Sequence, residues 1–119
     1  MNIHKLEENF SVCKIQNISD ADFSREFLFL SKTDEEISLV CETDFVPADA
    51  TAVENGWKGF RIVGVLDFGM VGVIAQISAV LAEAGISVFV VSTYNTDYVF
   101  VKEENFERAV ELLQKIIRC

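Results

Sequence analysis

The sequence predicts an α+β fold of the ferredoxin-like (βαββαβ) kind, built from tandem half-repeats that share an antiparallel sheet with helices on one face. Three observations predict it. Period-two alternation of apolar residues marks short strands along the whole chain. The period lengthens to that of a helix in two long segments, both in the second half. The second half orders its elements strand–helix–strand–strand–helix, one strand short of the full pattern, while the first half has strands to spare.

Residues 1–8 are polar and read as a frayed end. FSVCKI (10–15) alternates as a half-buried strand does. QNISDADFS (16–24) is turn-like. REFLFLSKT (25–33) reads as a strand with Phe27 and Phe29 on one face and Leu28 and Leu30 on the other. Thr33 and Glu36 have capping-box spacing but only about one turn to cap. ISLVCE (37–42) is a strand, Pro47 ends that region, and DFVPADATAVENG (44–56) reads as a connector.

In the second half WKGFRIVGVL (57–66) is a strand. MVGVIAQISAVLAEA (70–84) carries Ala and Leu at helical spacing, and Gly85 sits where a helix C′ residue belongs. ISVFVVST (86–93) and YVFVK (98–102) are strands joined by YNTD (94–97). ENFERAVELLQKIIR (104–118) is amphipathic, with Phe106, Ala109, Val110, Leu113, Ile116 and Ile117 on one face. A first-half strand completes the second-half sheet, so 1–56 and 57–119 together form one compact unit. Helix 70–84 is nearly apolar all round, broken only by Gln76, Ser78 and Glu83, which predicts burial on more than one side. That helix and the unpaired strand edges predict a homo-oligomer, with a dimer as its simplest form.

With 119 residues, half of them hydrophobic, the chain has the material for one core. Its net charge of −9 argues against nucleic acid and anionic membrane surfaces, which need basic patches. Nothing near the start reads as a secretory signal, and the apolar runs fall short of a membrane span. Cys13, Cys41 and Cys119 are odd in number and widely spaced, which fits neither zinc nor a disulfide framework and suits a reducing cytoplasm. His4 is the only histidine and lies in the polar N-terminus, so no nucleophilic triad is assembled. No catalytic residue, metal site or cofactor is expected. The acidic stretches DEE (34–36) and KEENFE (102–107) read as solvated faces and as helix N-terminal charge.

The stretch GVLDFGMVGV (64–73) sets Gly64, Gly69 and Gly72 around Asp67. A protein-kinase reading of DFG fails, because its companion motifs are missing. A Walker loop fails too, since Met70 and Val71 stand where Lys and Ser/Thr are needed. What remains is a strand-to-helix turn whose first-turn N–H groups and helix dipole favour an anion such as a carboxylate. Asp67 would then pair with a ligand ammonium or cap the helix. The competing reading is that Gly69 and Gly72 only relieve crowding. STYNTDY (92–98) gathers hydroxyls, an amide and a carboxylate between apolar strands, although turn chemistry by itself also explains Asn95 and Asp97.

The run from Gly59 to Leu113, through LDFGMVG, LAEAGISVFVVSTYNTDY and VKEENFERA, resembles the ACT regulatory domain. It is most similar to small bacterial two-ACT proteins related to the CASTOR arginine sensors. ISLVCETDFVP followed by ENGWKGFRIVG supports the same resemblance in the first half. The resemblance implies a sensing module that is not an enzyme, with a degenerate ACT-like half at 1–56 and an ACT domain at 57–119. It implies a small ligand, often an amino acid, held between the first strand–helix loop of one repeat and a neighbouring repeat. Residue by residue, that loop is Leu66, Asp67, Phe68, Gly69, Met70, Val71 and Gly72. The second contact segment is Ser92, Thr93, Tyr94, Asn95, Thr96 and Asp97, and a first-half lip falls at Ser38, Leu39 and Val40. The alternative is an oligomerisation or protein-interaction module whose pocket is vestigial.

Overall fold

The computed structural model describes residues 2–63 and 69–117. In chain order the elements are β1 (Asn2–Lys5), β2 (Phe10–Ile15), β3 (Leu28–Lys32), β4 (Ile37–Glu42), β5 (Ala52–Val63), α1 (Gly69–Glu83), β6 (Val88–Ser92), β7 (Asp97–Lys102) and α2 (Phe106–Ile117). Short 3₁₀ turns occupy Ile18–Asp20, Thr43–Phe45 and Glu103–Asn105. The chain divides into an N-terminal unit, Glu8–Trp57, and a C-terminal unit made of Met1–Glu7 and Lys58–Cys119.

The C-terminal unit has the strand order β1-β5-β7-β6. β1 runs antiparallel to the end of β5, from Asn2 opposite Val63 to Lys5 opposite Phe60. This corrects the expectation of a frayed start. A four-residue strand with Ile3 as its only apolar side chain displays no period of its own. It is held by the ladder and by the packing of Ile3 onto the core. The hydrogen bond from Leu6 N to Gly59 O, 3.0 Å long, carries the pairing one residue further. First-half strands complete the sheet, as expected: β1 pairs with the end of β5, and FSVCKI, as β2, pairs with its beginning.

Alternate residues of the sheet, Phe60, Ile62, Val99 and Val101, pack against both helices. Val73, Ile77 and Leu81 of α1 meet them, as do Phe106, Ala109, Val110 and Leu113 of α2, and all are buried. The stripe expected on α2 is therefore the one it uses. On α1 the expectation needs correction for the isolated chain, because Gly72, Ala75, Gln76, Ser78, Ala79, Ala82 and Glu83 are exposed. Alanine counts as apolar, yet it offers so little side-chain area that leaving it wet costs little. α1 ends as expected at Gly85, whose φ is +75°. The bonds Ile86 N to Leu81 O (2.9 Å) and Gly85 N to Ala82 O (3.0 Å) form a Schellman motif, with Leu81 and Ile86 both in the core.

On the opposite face of this sheet Phe100 is fully buried and stacks on Phe89, with ring centroids 4.9 Å apart. The ring of Phe100 also lies over Gly59, where an added Cβ would come within 2.6 Å of it. A glycine under an aromatic ring on the neighbouring strand is thus a packing requirement.

The N-terminal unit orders its strands β3-β4-β2-β5, all antiparallel, using the first half of β5. β5 starts five residues earlier than the expected strand because ENG, which reads as the end of a connector, is a bulge within the strand. The register shifts between Phe10, opposite Trp57, and Val12, opposite Glu54, where Gly56 adopts φ +89°. Cys13, Ile15, Leu39 and Cys41 form the core with Ala21, backed by Leu28, Leu30, Ile37, Val46 and Ala50. In place of helices this core is covered by the irregular segments around residues 21 and 46–50. Arg25 fixes that cover, bonding Glu42 Oε1 at 3.1 Å and lying 3.9 Å from the centre of the Phe45 ring.

Burial pushes both core thiols up, that of Cys41 to about 12. The folded state therefore favours the neutral thiol, a contribution complete below the ordinary value of 9.0 and lost as pH rises towards 12. In a Cys119→Ser background, Cys13 and Cys41 should stay unreactive to Ellman's reagent at pH 8 until the protein is denatured. A second prediction separates two glycines. Gly59→Ala should lower stability by about 1–3 kcal/mol in urea unfolding, through overpacking against Phe100. Gly72→Ala should raise stability by up to about 1 kcal/mol, because a Cβ there meets nothing within 4 Å.

Candidate functional site

Arg61 Nη1 bonds the Tyr98 hydroxyl at 3.4 Å and Gly59 lies against Phe100, so β5 and β7 run antiparallel with Val63 near the start of β7. Ser92 pairs with Asp97 at the same end, and Val88 with Val101 at the other. α1 leaves from the Val63 end and returns the chain to Val88. Its first turn and the 93–96 hairpin therefore share one end of the C-terminal unit.

Leu66, Asp67 and Phe68 lie outside the described residues. Gly69, Met70, Val71 and Gly72 form the first turn of α1, where backbone N–H groups have no partner within the helix. Gly72 is exposed and faces open space. Crowding by the described residues does not require a glycine there.

The STYNTD segment is a tight hairpin turn. Thr93 N donates to Thr96 O at 2.8 Å, the Thr93 hydroxyl donates to the same oxygen at 3.0 Å, and Thr96 N donates back to Thr93 Oγ1 at 3.2 Å. The Ser92 hydroxyl donates to Asp97 Oδ1 at 2.5 Å. Tyr94 and Asn95 project into solvent at the tip, and Tyr94 is fully exposed. Ser92, Thr93, Asn95, Thr96 and Asp97 are thus brought together, with Thr93 engaged in holding the turn. Ser38, Leu39 and Val40 lie on β4 of the other unit. Leu39 faces that unit's core, and Ser38 and Val40 point to the other face of its sheet.

The β3–β4 hairpin repeats this turn. Thr33 N donates to Glu36 O at 2.9 Å, and Thr33 Oγ1 accepts from the N–H groups of Glu35 and Glu36 at 3.1 and 3.2 Å. The spacing of Thr33 and Glu36 thus reflects a turn closed by a threonine and not a helix cap. Strands, turns and following 3₁₀ turns recur 60 positions apart, as Leu28 and Val88, Thr33 and Thr93, and Thr43 and Glu103 illustrate.

Among the described residues, no group of three or more His, Cys, Asp or Glu side chains is placed to hold a metal ion. No helix among them is long and apolar enough to cross a membrane. His4, set aside on sequence as part of a polar terminus, belongs to β1 and lies opposite Arg61. No local pattern around NIHK announces that pairing.

Comparison with known proteins places the chain among regulatory domains. A family profile described as the ACT domain matches residues 52–115. The human protein named cytosolic arginine sensor for mTORC1 subunit 1 is 32% identical over 96 residues, covering 75% of this chain and 29% of its own length. The chain thus spans under a third of that relative. A solved structure from Agrobacterium tumefaciens superposes with a TM-score of 0.83 at 28% identity, covering 95% of this chain and 86% of its own. The ligand-free regulatory subunit of aspartate kinase from Thermus thermophilus shares the fold, with a TM-score of 0.69 at 14% identity over 99% of both chains.

The turn chemistry yields a prediction. Thr93→Val keeps the shape and removes the hydroxyl bonds, and should cost about 0.5–1.5 kcal/mol in urea unfolding. Tyr94→Ser at the tip should stay within about 0.5 kcal/mol of the parent protein.

Proposed function

The chain belongs to the ACT-domain family, and from that premise we propose that it is a regulatory module that binds an amino acid, and not an enzyme. The site is the end of the C-terminal unit shared by the first turn of α1 and the Ser92–Asp97 hairpin, with an adjoining ACT repeat as its other wall. The single observation that carries this reading is the open space at Gly72, beside the unpartnered N–H groups of a 15-residue helix. Those groups suit a carboxylate. Asp97 and Asp67 provide the opposite pole, for an ammonium or guanidinium. Leu66, Phe68, Met70 and Val71 are the apolar residues of that stretch of sequence. The name of the human relative, an arginine sensor, supports an amino acid as the ligand class. In this reading 1–56 is a degenerate repeat and 57–119 the repeat that binds. The protein works in the cytoplasm, as a homodimer that covers the exposed face of α1.

A second reading is favoured by that exposed face, where Ala75, Ala79 and Ala82 present a smooth surface to solvent. Here the protein is an oligomerisation or interaction module whose pocket is vestigial. A thermal-shift screen of the standard amino acids separates the two, because a ligand bound only by the folded state raises Tm. The regulatory reading predicts a hit. Calorimetry with that hit should then find binding crippled by Gly72→Val in a folded protein, and weakened by about 1.5–3 kcal/mol in Asp97→Ala. Unchanged affinity in both variants would move the site elsewhere. No hit at millimolar concentration would favour the interaction module.

A further inference from the structure

The face of the C-terminal sheet turned away from the helices carries a row of polar side chains that the proposed site does not use. His4 and Arg61 are partners in the β1–β5 ladder, and directly opposed residues share a face. Their neighbours Ile3 and Ile62 pack into the helical core, so His4 and Arg61 point the other way. On β7, Val99 and Val101 face the helices, which puts Tyr98 on the same face as Arg61. The Arg61 guanidinium reaches the Tyr98 hydroxyl at 3.4 Å. Tyr98 in turn pairs with Val91 on β6, and Phe89 lies two positions along on the same face. An imidazole, a guanidinium, a phenol and an apolar rim thus run across four strands.

The charges around this row are unusual for the chain. The sequence holds 19 carboxylate residues against 10 lysines and arginines. The neighbouring Lys5, on the helix side, has found Glu107 at 3.7 Å. Arg61 is half-buried, yet among the described residues no carboxylate pairs with it. Across the ladder stands His4, a second group able to carry positive charge. Like charges placed directly opposite one another are unfavourable, and an anion bridging them reverses that effect. The planar fork of an arginine suits a carboxylate in particular.

We propose that His4, Arg61 and Tyr98 form a second binding site, for a small organic carboxylate whose apolar body rests on Val91 and Phe89. Arg61 holds the carboxylate, the Tyr98 hydroxyl donates to it, and the His4 ring closes the other side. The site lies on the face opposite the helices and shares no residue with the loop at Gly72 or the Ser92–Asp97 hairpin.

The lone histidine provides the test. Its ring proton resonance reports on the site directly by NMR at fixed pH, with benzoate as the probe and chloride at matched ionic strength as the control. Millimolar benzoate should shift that resonance saturably. The shift should vanish in Arg61→Gln, shrink in Tyr98→Phe and persist in Gly72→Val, with each variant shown to be folded by circular dichroism. No shift in the parent protein would overturn the proposal. So would an equal shift from chloride or inorganic phosphate, its survival in Arg61→Gln, or its loss in Gly72→Val.

Discussion

β5 is the strand on which both units are built, and its pairing is the constraint from which the rest follows. Its first half is an edge for β2 and its second half runs between β1 and β7. Twelve residues of backbone donors and acceptors must be satisfied along a strand whose neighbours change midway. The bulge at Gly56 lies just before that change, since Trp57 still pairs with Phe10 and Phe60 pairs with Lys5. Phe60 and Ile62 then enter the helical core while Gly59 admits the Phe100 ring on the other side. Without β1, the Phe60–Val63 segment would have one open edge and the core would lose Ile3.

The 60-residue repetition of hairpin and 3₁₀ turn makes the difference between the units informative. Each unit has the same strand order, with the first strand of the motif beside the last. Only the C-terminal unit has α1 and α2. In the N-terminal unit the corresponding connections are irregular, tied down by the Arg25–Glu42 pair and by the stacking of Arg25 on Phe45. A three-residue 3₁₀ turn supplies neither the aligned dipoles nor the row of unpaired N–H groups that a long helix offers. The site proposed above, at a helix start, therefore has no counterpart in the N-terminal unit.

Legibility in the sequence followed the strength of local periodicity. FSVCKI and ISLVCE, with six residues each and clear alternation, became β2 and β4 to the residue. Helix α2 and the Gly85 stop of α1 were equally readable, because an amphipathic stripe and a C′ glycine are local signals. β1 was not, since NIHK holds one apolar side chain and its stability comes from a partner some 58 residues away. The start of β5 was missed because residues 52–56 read as the end of a connector, whereas Asn55-Gly56 is a bulge within the strand. The outer face of α1, lined by alanines, is exposed in the isolated chain, and cover by a second subunit is not a local signal. At the candidate site, Thr93 and Asp97 were recognised as polar groups in an apolar context. Whether they serve a ligand or a turn depends on hydrogen bonds that spacing does not reveal. The His4–Arg61–Tyr98 row depends entirely on register between distant segments.

Native-state hydrogen exchange on β1 tests the central claim, that the C-terminal unit is completed by a strand from the chain's beginning. Amides of residues 2–6 that lie in the β1–β5 ladder should exchange as slowly as those of residues 60–63, and the two segments should lose protection together as urea is added. Rapid exchange of residues 2–6 while residues 60–63 remain protected would contradict it, and the C-terminal sheet would then stand on three strands.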